Sequence, residues 1–158
     1  MHFGMSSDPD KNYRRARTTA LVLLLILGIT ALGGAIPMLI DPSGEKMGFP
    51  PDMLARTPFE DFLFPGIILA LFNGILSLLF AILVIKRHRL MVWMVLFQGG
   101  VLFIWLTAEV IMGLFSPALT IPYYLIAILL LYCGVAMRLS SSISQSFKHP
   151  DDQLRSPV

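Results

Sequence analysis

Residues 62–109 read FLFPGIILALFNGILSLLFAILVIKRHRLMVWMVLFQGGVLFIWLTAE. Two apolar runs, Phe62 to Ile85 and Leu90 to Ala108, flank the basic tetrad Lys86-Arg87-His88-Arg89. At about 1.5 Å of rise per residue, each run is long enough to cross roughly 30 Å of hydrocarbon. Neither alternates apolar with polar residues, as the strands of a closed barrel would, so both read as helices that satisfy their own backbone groups in lipid. The tetrad is short enough to fold them into an antiparallel hairpin.

Two more runs lie outward. Thr18 to Ile40 is free of charge, and so is Val110 to Met137, which is too long for one straight span and is interrupted by Ser116-Pro117 and Thr120-Ile121-Pro122. The reading is therefore an all-α integral membrane four-helix bundle. Helices are predicted at about 17–40, 58–86, 89–114 and 120–139, with an outer loop at 41–57 and tails at 1–16 and 140–158. The first run also has the outline of a signal peptide, with basic residues before it and Gly33, Gly34 and Ala35 near its end. It continues to Ile40, long enough to span, so a retained helix is expected.

Composition agrees. Of 158 residues 56% are apolar and only 14% charged, with a mean hydropathy of +0.75; soluble domains carry about a quarter charged residues. Cys133 is the only cysteine, which removes disulfide frameworks, C-x-x-C redox motifs and multi-cysteine zinc sites. His2, His88 and His149 lie outside the apolar runs, so intramembrane haem ligation has no ligand pair. No cofactor is expected. A net charge of +2, with basic residues beside the spans and no aromatic-interleaved patch, argues against nucleic acid.

Charge also orients the chain. Lys11, Arg14, Arg15 and Arg17, then Lys86, Arg87 and Arg89, then Arg138, Lys148 and Arg155 fall on one side of a four-span chain; Lys46 and Arg56 do not. The positive-inside rule puts both termini in the cytoplasm, in a multi-pass protein of the cell (inner) membrane. The outer side receives Asp41, Glu45, Asp52, Glu60 and Asp61.

In the outer loop, Asp41-Pro42-Ser43-Gly44 is turn chemistry. Met47, Phe49, Met53 and Leu54 have only the top of the bundle to cover, so an ordered lid is expected, with a helical turn capped by Asp52. Thr57-Pro58-Phe59-Glu60 has the pattern of a capping box with proline at the first helical position, and Pro65-Gly66 would then bend the second helix near the interface.

Inside the membrane, the second helix carries a small or polar stripe, Gly66, Ala70, Asn73 with Gly74, Ser77 and Ala81. Small stripes let membrane helices approach closely. The third helix carries Gln98, Leu102, Trp105, Glu109 and Met112 at the same spacing. Matching depths across the hairpin pairs Ser77 with Gln98, Asn73 with Leu102, Ala70 with Trp105 and Gly66 with Glu109, and brings Asn73 and Gln98 within reach of each other. Asn73 and Gln98 read either as interhelical glue or as cavity lining. Glu109 is the ionisable group well inside a span, and such a carboxylate wants water, a partner or a proton. It reads either as a functional group or as a partner of Arg56, Lys46 or lid backbone. Trp105, Tyr123 and Tyr124 would supply aromatic walls to a pocket beneath the lid, and Gly28, Thr30, Ala31, Gly33, Gly34 and Ala35 a small outer half to the first helix.

The pattern Asp41-Pro42-Ser43-Gly44, Thr57-Pro58-Phe59, Phe64-Pro65-Gly66-Ile67-Ile68-Leu69, Asn73-Gly74 and Gln98-Gly99-Gly100 resembles small bacterial four-span membrane proteins of the DoxX-like group, over roughly 18–138. The resemblance implies a four-helix bundle in the cytoplasmic membrane, sometimes associated with redox or quinone processes, and transfers no catalytic residue.

Three functions are compatible with these residues. The first is a non-enzymatic protein binding a lipid-like ligand, or a membrane partner or second copy, through Glu109, Asn73, Gln98, Trp105 and Ser77. The second is an oligomeric transporter or channel subunit with Glu109 as its protonatable group. The third is an enzyme at the outer interface, for which Glu109 and Asp61 would be thin acid–base equipment.

Overall fold

A computed structural model describes residues 9–50 and 52–148; residues 1–8 and 149–158, which hold the outer parts of both predicted tails with His2 and His149, lie outside the described residues. Four long helices account for most of the described chain. They are α1 (Pro9–Ile40), α2 (Leu63–Ile85), α3 (Met91–Ile111) and α4 (Pro117–Lys148), with one short 3₁₀ turn, Glu45–Met47, in the loop between the first two. Each is long and apolar enough to cross a membrane.

The distribution of side chains is the reverse of a water-soluble bundle. Ile29, Phe64, Phe97, Ile104, Leu125 and Tyr132 face outward, whereas Asn73, Ser77 and Gln98 are fully buried. Large apolar residues outside and small or polar ones within is the pattern that hydrocarbon as solvent selects, since lipid tails give helices no hydrophobic reason to associate.

The helices form two tight pairs. A Cβ at Gly28 of α1 would stand 2.6 Å from Leu78 of α2, and one at Gly74 of α2 would stand 2.7 Å from Leu32 of α1. The same reciprocal fit recurs between α3 and α4: Gly99 receives Leu131 at 2.9 Å, and Gly134 receives Leu96 at 2.5 Å. In each couple the missing side chain on one helix is the seat for a leucine of the next. The pairs join through α1 and α4, which pack along one another. By contrast α2 and α3 touch mainly through residues 69–85 of α2, so this seam is closed toward the hairpin and open toward the 41–62 loop.

This corrects the expected pairing. Every residue of the small stripe is buried, but at its glycines the neighbour is α1: a Cβ at Gly66 would meet Cβ of Met38 at 2.9 Å, and one at Gly74 would meet Leu32. The depth matching across the hairpin holds no information about rotation, and α1 competes for the same stripe with leucine and methionine side chains of the right depth.

Helix ends also differ from expectation, for readable reasons. The second helix begins at Leu63 and not at 58. Pro65 stands in its first turn, where a missing N–H costs nothing; a helix begun at 58 would need that N–H and would press the proline ring on the Asp61 carbonyl. Pro65 therefore starts the helix and bends nothing. Thr57 caps a turn instead, donating its hydroxyl to the Leu54 carbonyl at 2.9 Å and accepting from Phe59 N–H at 3.3 Å. Phe62 holds the cap position without a side-chain cap, and the Asp61 carboxylate, one residue before it, accepts from Leu63 N–H at 3.0 Å. The fourth helix starts at Pro117, its N1 position, and the Ser116 N–H donates to the Thr120 hydroxyl at 3.2 Å. The first begins at Pro9, within the predicted tail, and the fourth runs to Lys148. After Asp52 the chain makes successive turns, Ala55 N–H to Asp52 O and Thr57 N–H to Leu54 O, and no helix.

A wide π-type turn, Leu69–Ile75, lies in the middle of α2. Where five-residue hydrogen-bond spacing returns to four, one carbonyl of the ladder is passed over, so such turns expose backbone acceptors and re-aim side chains.

Candidate functional site: a cavity beneath the loop

The open seam, the two tight pairs and the loop enclose a cavity of about 430 Å³. All four helices line it: Leu27, Thr30, Ala31, Gly34, Pro37 and Met38 from α1; Leu69 and Asn73 from α2; Leu102, Trp105, Leu106 and Glu109 from α3; Leu119, Thr120 and Tyr123 from α4. Met47 and Phe49 of the loop cover it.

The cover is built rather than draped. Asp41 accepts the Ser43 hydroxyl at 2.7 Å and the Lys46 amide at 2.8 Å. The Ser43 hydroxyl, the larger cause, and the Lys46 amide hold the Asp41 carboxyl below its ordinary range. Gly44 at φ +77° turns the chain so tightly that a Cβ there would stand 2.8 Å from the Phe62 ring. Phe49 packs on Phe62 with ring centroids 4.9 Å apart, and Phe62 N–H donates to Pro42 O at 2.9 Å. The loop is thus tied to the start of α2, with Met47 and Phe49 facing the cavity. Met53, with Arg56, lines a separate hollow against Met112 and Phe115.

Of the five residues singled out from sequence, Asn73, Trp105 and Glu109 line the cavity, while Gln98 and Ser77 are buried without lining it. Gln98 Nε2 donates to the Phe72 carbonyl at 3.0 Å. It does not reach the Asn73 amide as expected, because the π-type turn offers a backbone acceptor. Asn73 Oδ1 and Nδ2, Ser77 Oγ and Gln98 Oε1 have no hydrogen-bond partner among the described residues. Buried polar atoms are almost always paired, so this cluster needs explaining, and Asn73 is the member that faces a space.

Glu109 is half-buried. The Trp105 indole N–H, one turn earlier on the same helix, lies on the same side of α3 as the Glu109 carboxylate. Among the described residues it forms no ion pair, so the expected alternative of pairing with Arg56 or Lys46 does not hold, and Arg56 lies in the other hollow. The position is informative. Leu114 N–H bonds Glu109 O at 2.9 Å, Gly113 N–H bonds Val110 O at 3.1 Å, and Gly113 has φ +80°. This is a Schellman end, and it puts Glu109 in the last turn of α3. A carboxylate there opposes the helix dipole, so Glu109 does not serve helix stability.

Tyr123 lines the cavity but Tyr124 does not: its hydroxyl meets that of Thr107 at 3.1 Å and its ring packs edge-on against Phe103 at 5.3 Å. Sequence reasoning missed Thr120 and gave Thr30 only a packing role; Met47 and Phe49 were expected in the lid, and they line the cavity from the loop. Nothing in a threonine within an apolar run marks it as lining, and the loop residues gain their role only when the loop closes. Toward the hairpin the centre of the bundle is apolar, with Ala20, Leu24, Ala81, Val84, Val95, Leu130 and Met137 buried against each other, and a separate hollow of about 610 Å³ lies between α1 and α4 beside Arg15, Thr19, Tyr132 and Cys133. Among the described residues no cluster of histidine, cysteine or acidic side chains could hold a metal ion.

The chain matches no protein-family model, and no curated protein or solved structure shows significant similarity to it. The chemistry of the cavity is therefore the guide to function.

Proposed function

We propose that this four-helix bundle binds one small amphipathic, lipid-like molecule in the cavity beneath the 41–62 loop, acting as a non-catalytic multi-pass protein of the cell membrane with both termini cytoplasmic. The observation that carries the reading is Asn73, 0% exposed, with donor and acceptor both unpartnered, at the wall of a cavity of about 430 Å³. Small-molecule sites are concave, mostly apolar, about 300–1,000 Å³, and fixed by a few polar groups. The walls here are leucine, methionine and aromatic side chains, with Asn73 and Glu109 as the polar points. Among the described residues a layer of buried apolar side chains lies between the cavity and the hairpin, which favours binding over conduction.

Native mass spectrometry of gently extracted protein tests this. Wild type should retain a bound small molecule. Gly34→Phe should lose it without unfolding, since a Cβ at Gly34 meets only Leu69 at 3.7 Å and the ring would occupy the cavity. A wild-type spectrum with no adduct, or an adduct that survives Gly34→Phe, refutes the proposal.

A further inference from the structure

The cavity has one charged side chain and nothing to balance it. Glu109 is the sole acid among its lining residues, and no lysine, arginine or histidine joins it. Its place in the last turn of α3 sets it against the helix dipole, so nothing in the helix itself accounts for the carboxylate. Glu109 shares the cavity wall with Trp105, one turn earlier on α3, with Tyr123 of α4 and with the loop's Phe49, and Met38 and Met47 line the same space. Aromatic faces next to a carboxylate are the surroundings that stabilise a weakly hydrated organic cation, by ring quadrupole and by charge, and desolvation strengthens both.

Building on the reading of the cavity as a ligand site, we infer that its occupant is an organic ammonium on a compact apolar body, with the cation at Glu109 and a hydrogen-bonding group directed to Asn73. The amide of Asn73 offers both a donor and an acceptor, so a hydroxyl or carbonyl on the body of the ligand satisfies it. The volume selects a single chain or ring system: about 430 Å³ is near the lower end of the range for drug-sized ligands, and a two-chain phospholipid does not fit within it. Ammonium chemistry also occurs in choline and ethanolamine headgroups, and the experiment separates these sources.

The probes are 6-phenylhexyl-trimethylammonium and its neutral isostere, in which tert-butyl replaces the ammonium, titrated by calorimetry into full-length protein in a non-ionic maltoside. Wild type should bind the ammonium about tenfold or more tightly than the isostere, the discrimination a desolvated cation–π and charge contact supplies. Glu109→Gln should bring the two to equal affinity, and Glu109→Asp should retain part of the preference. Thermal unfolding of each variant in the same detergent verifies folding. Equal affinity in wild type, or a preference that survives Glu109→Gln, overturns the cation assignment while leaving the cavity reading intact. Failure of both probes together with no retained adduct in native spectra overturns both. A two-chain zwitterionic phospholipid retained by wild type and lost in Glu109→Gln overturns the compact-body assignment in favour of a headgroup.

Discussion

Gly66 shows how little a single position needs to move to matter in this bundle. The atom a new Cβ would meet at 2.9 Å is Cβ of Met38, which is fixed to the α1 backbone and cannot rotate away. Gly66→Ala should therefore push α1 and α2 apart and destabilise the protein by about 1–3 kcal/mol, the ordinary cost of overpacking. Gly100, with nothing within 4 Å of its would-be Cβ, is the control, and Gly100→Ala should stay within about 0.5 kcal/mol of wild type. Chemical unfolding in detergent reads both. Equal effects would mean that the α1–α2 contact is loose enough to admit a methyl group. Glu109 and Asn73 make the complementary point. Both were conspicuous as letters, one for its charge and the other for its amide, yet their meaning rests on what surrounds them. Asn73 acquired no protein partner, and Glu109 no cation.

For α2, the residues that begin the helix were visible in the sequence but assigned to the wrong roles. Thr57-Pro58-Phe59-Glu60 satisfies the pattern of a helix start, and Pro65 overrides it, because a proline in the first turn is free of cost and one two turns in is not. Asp61, one residue before the cap position, accepts from Leu63 N–H at 3.0 Å. Asp61→Ala should cost about 0.5–1.5 kcal/mol, the net contribution of one such hydrogen bond, and Asp61→Asn less, since an amide oxygen still accepts it. If Asp61→Ala unfolds at the wild-type denaturant concentration, that bond contributes nothing. The π-type turn at Leu69–Ile75 had no sequence signal at all. Nothing in Leu-Ala-Leu-Phe-Asn-Gly-Ile distinguishes five-residue from four-residue spacing; in the bundle this stretch packs against α1 and its Phe72 carbonyl accepts from Gln98.

In the whole molecule, charge is segregated to the two ends. Arg14 and Arg15 in the first turns of α1, Lys86, Arg87 and Arg89 at the hairpin and Arg138 in the second half of α4 lie toward one end, while Asp41, Glu45, Asp52, Glu60 and Asp61 crowd the loop end. The basic end should therefore face the cytoplasm. Cysteine labelling in intact cells tests this with little background, because the native Cys133 is buried. An impermeant maleimide should modify Ser43→Cys and leave Lys86→Cys unmodified until the cells are broken; the opposite result would invert the topology. The same segregation matters for the cavity, which opens beneath the acidic loop at the end far from the basic cluster.

The number of spans, the helical class, the loop with its turn and the stripe of small residues were all legible in the amino-acid order. Each is a property of a contiguous stretch: apolar length against bilayer thickness, turn residues with fixed φ preferences, and periodicity along one helix. Which helix fills the stripe, where α2 starts, how Gln98 is satisfied and what Glu109 faces could be known only from the assembled bundle. Those outcomes are set by competition among segments distant in the chain. α1 displaces α3 from the face of α2 through Leu32 and Met38, and the space left between α2 and α3 becomes the cavity.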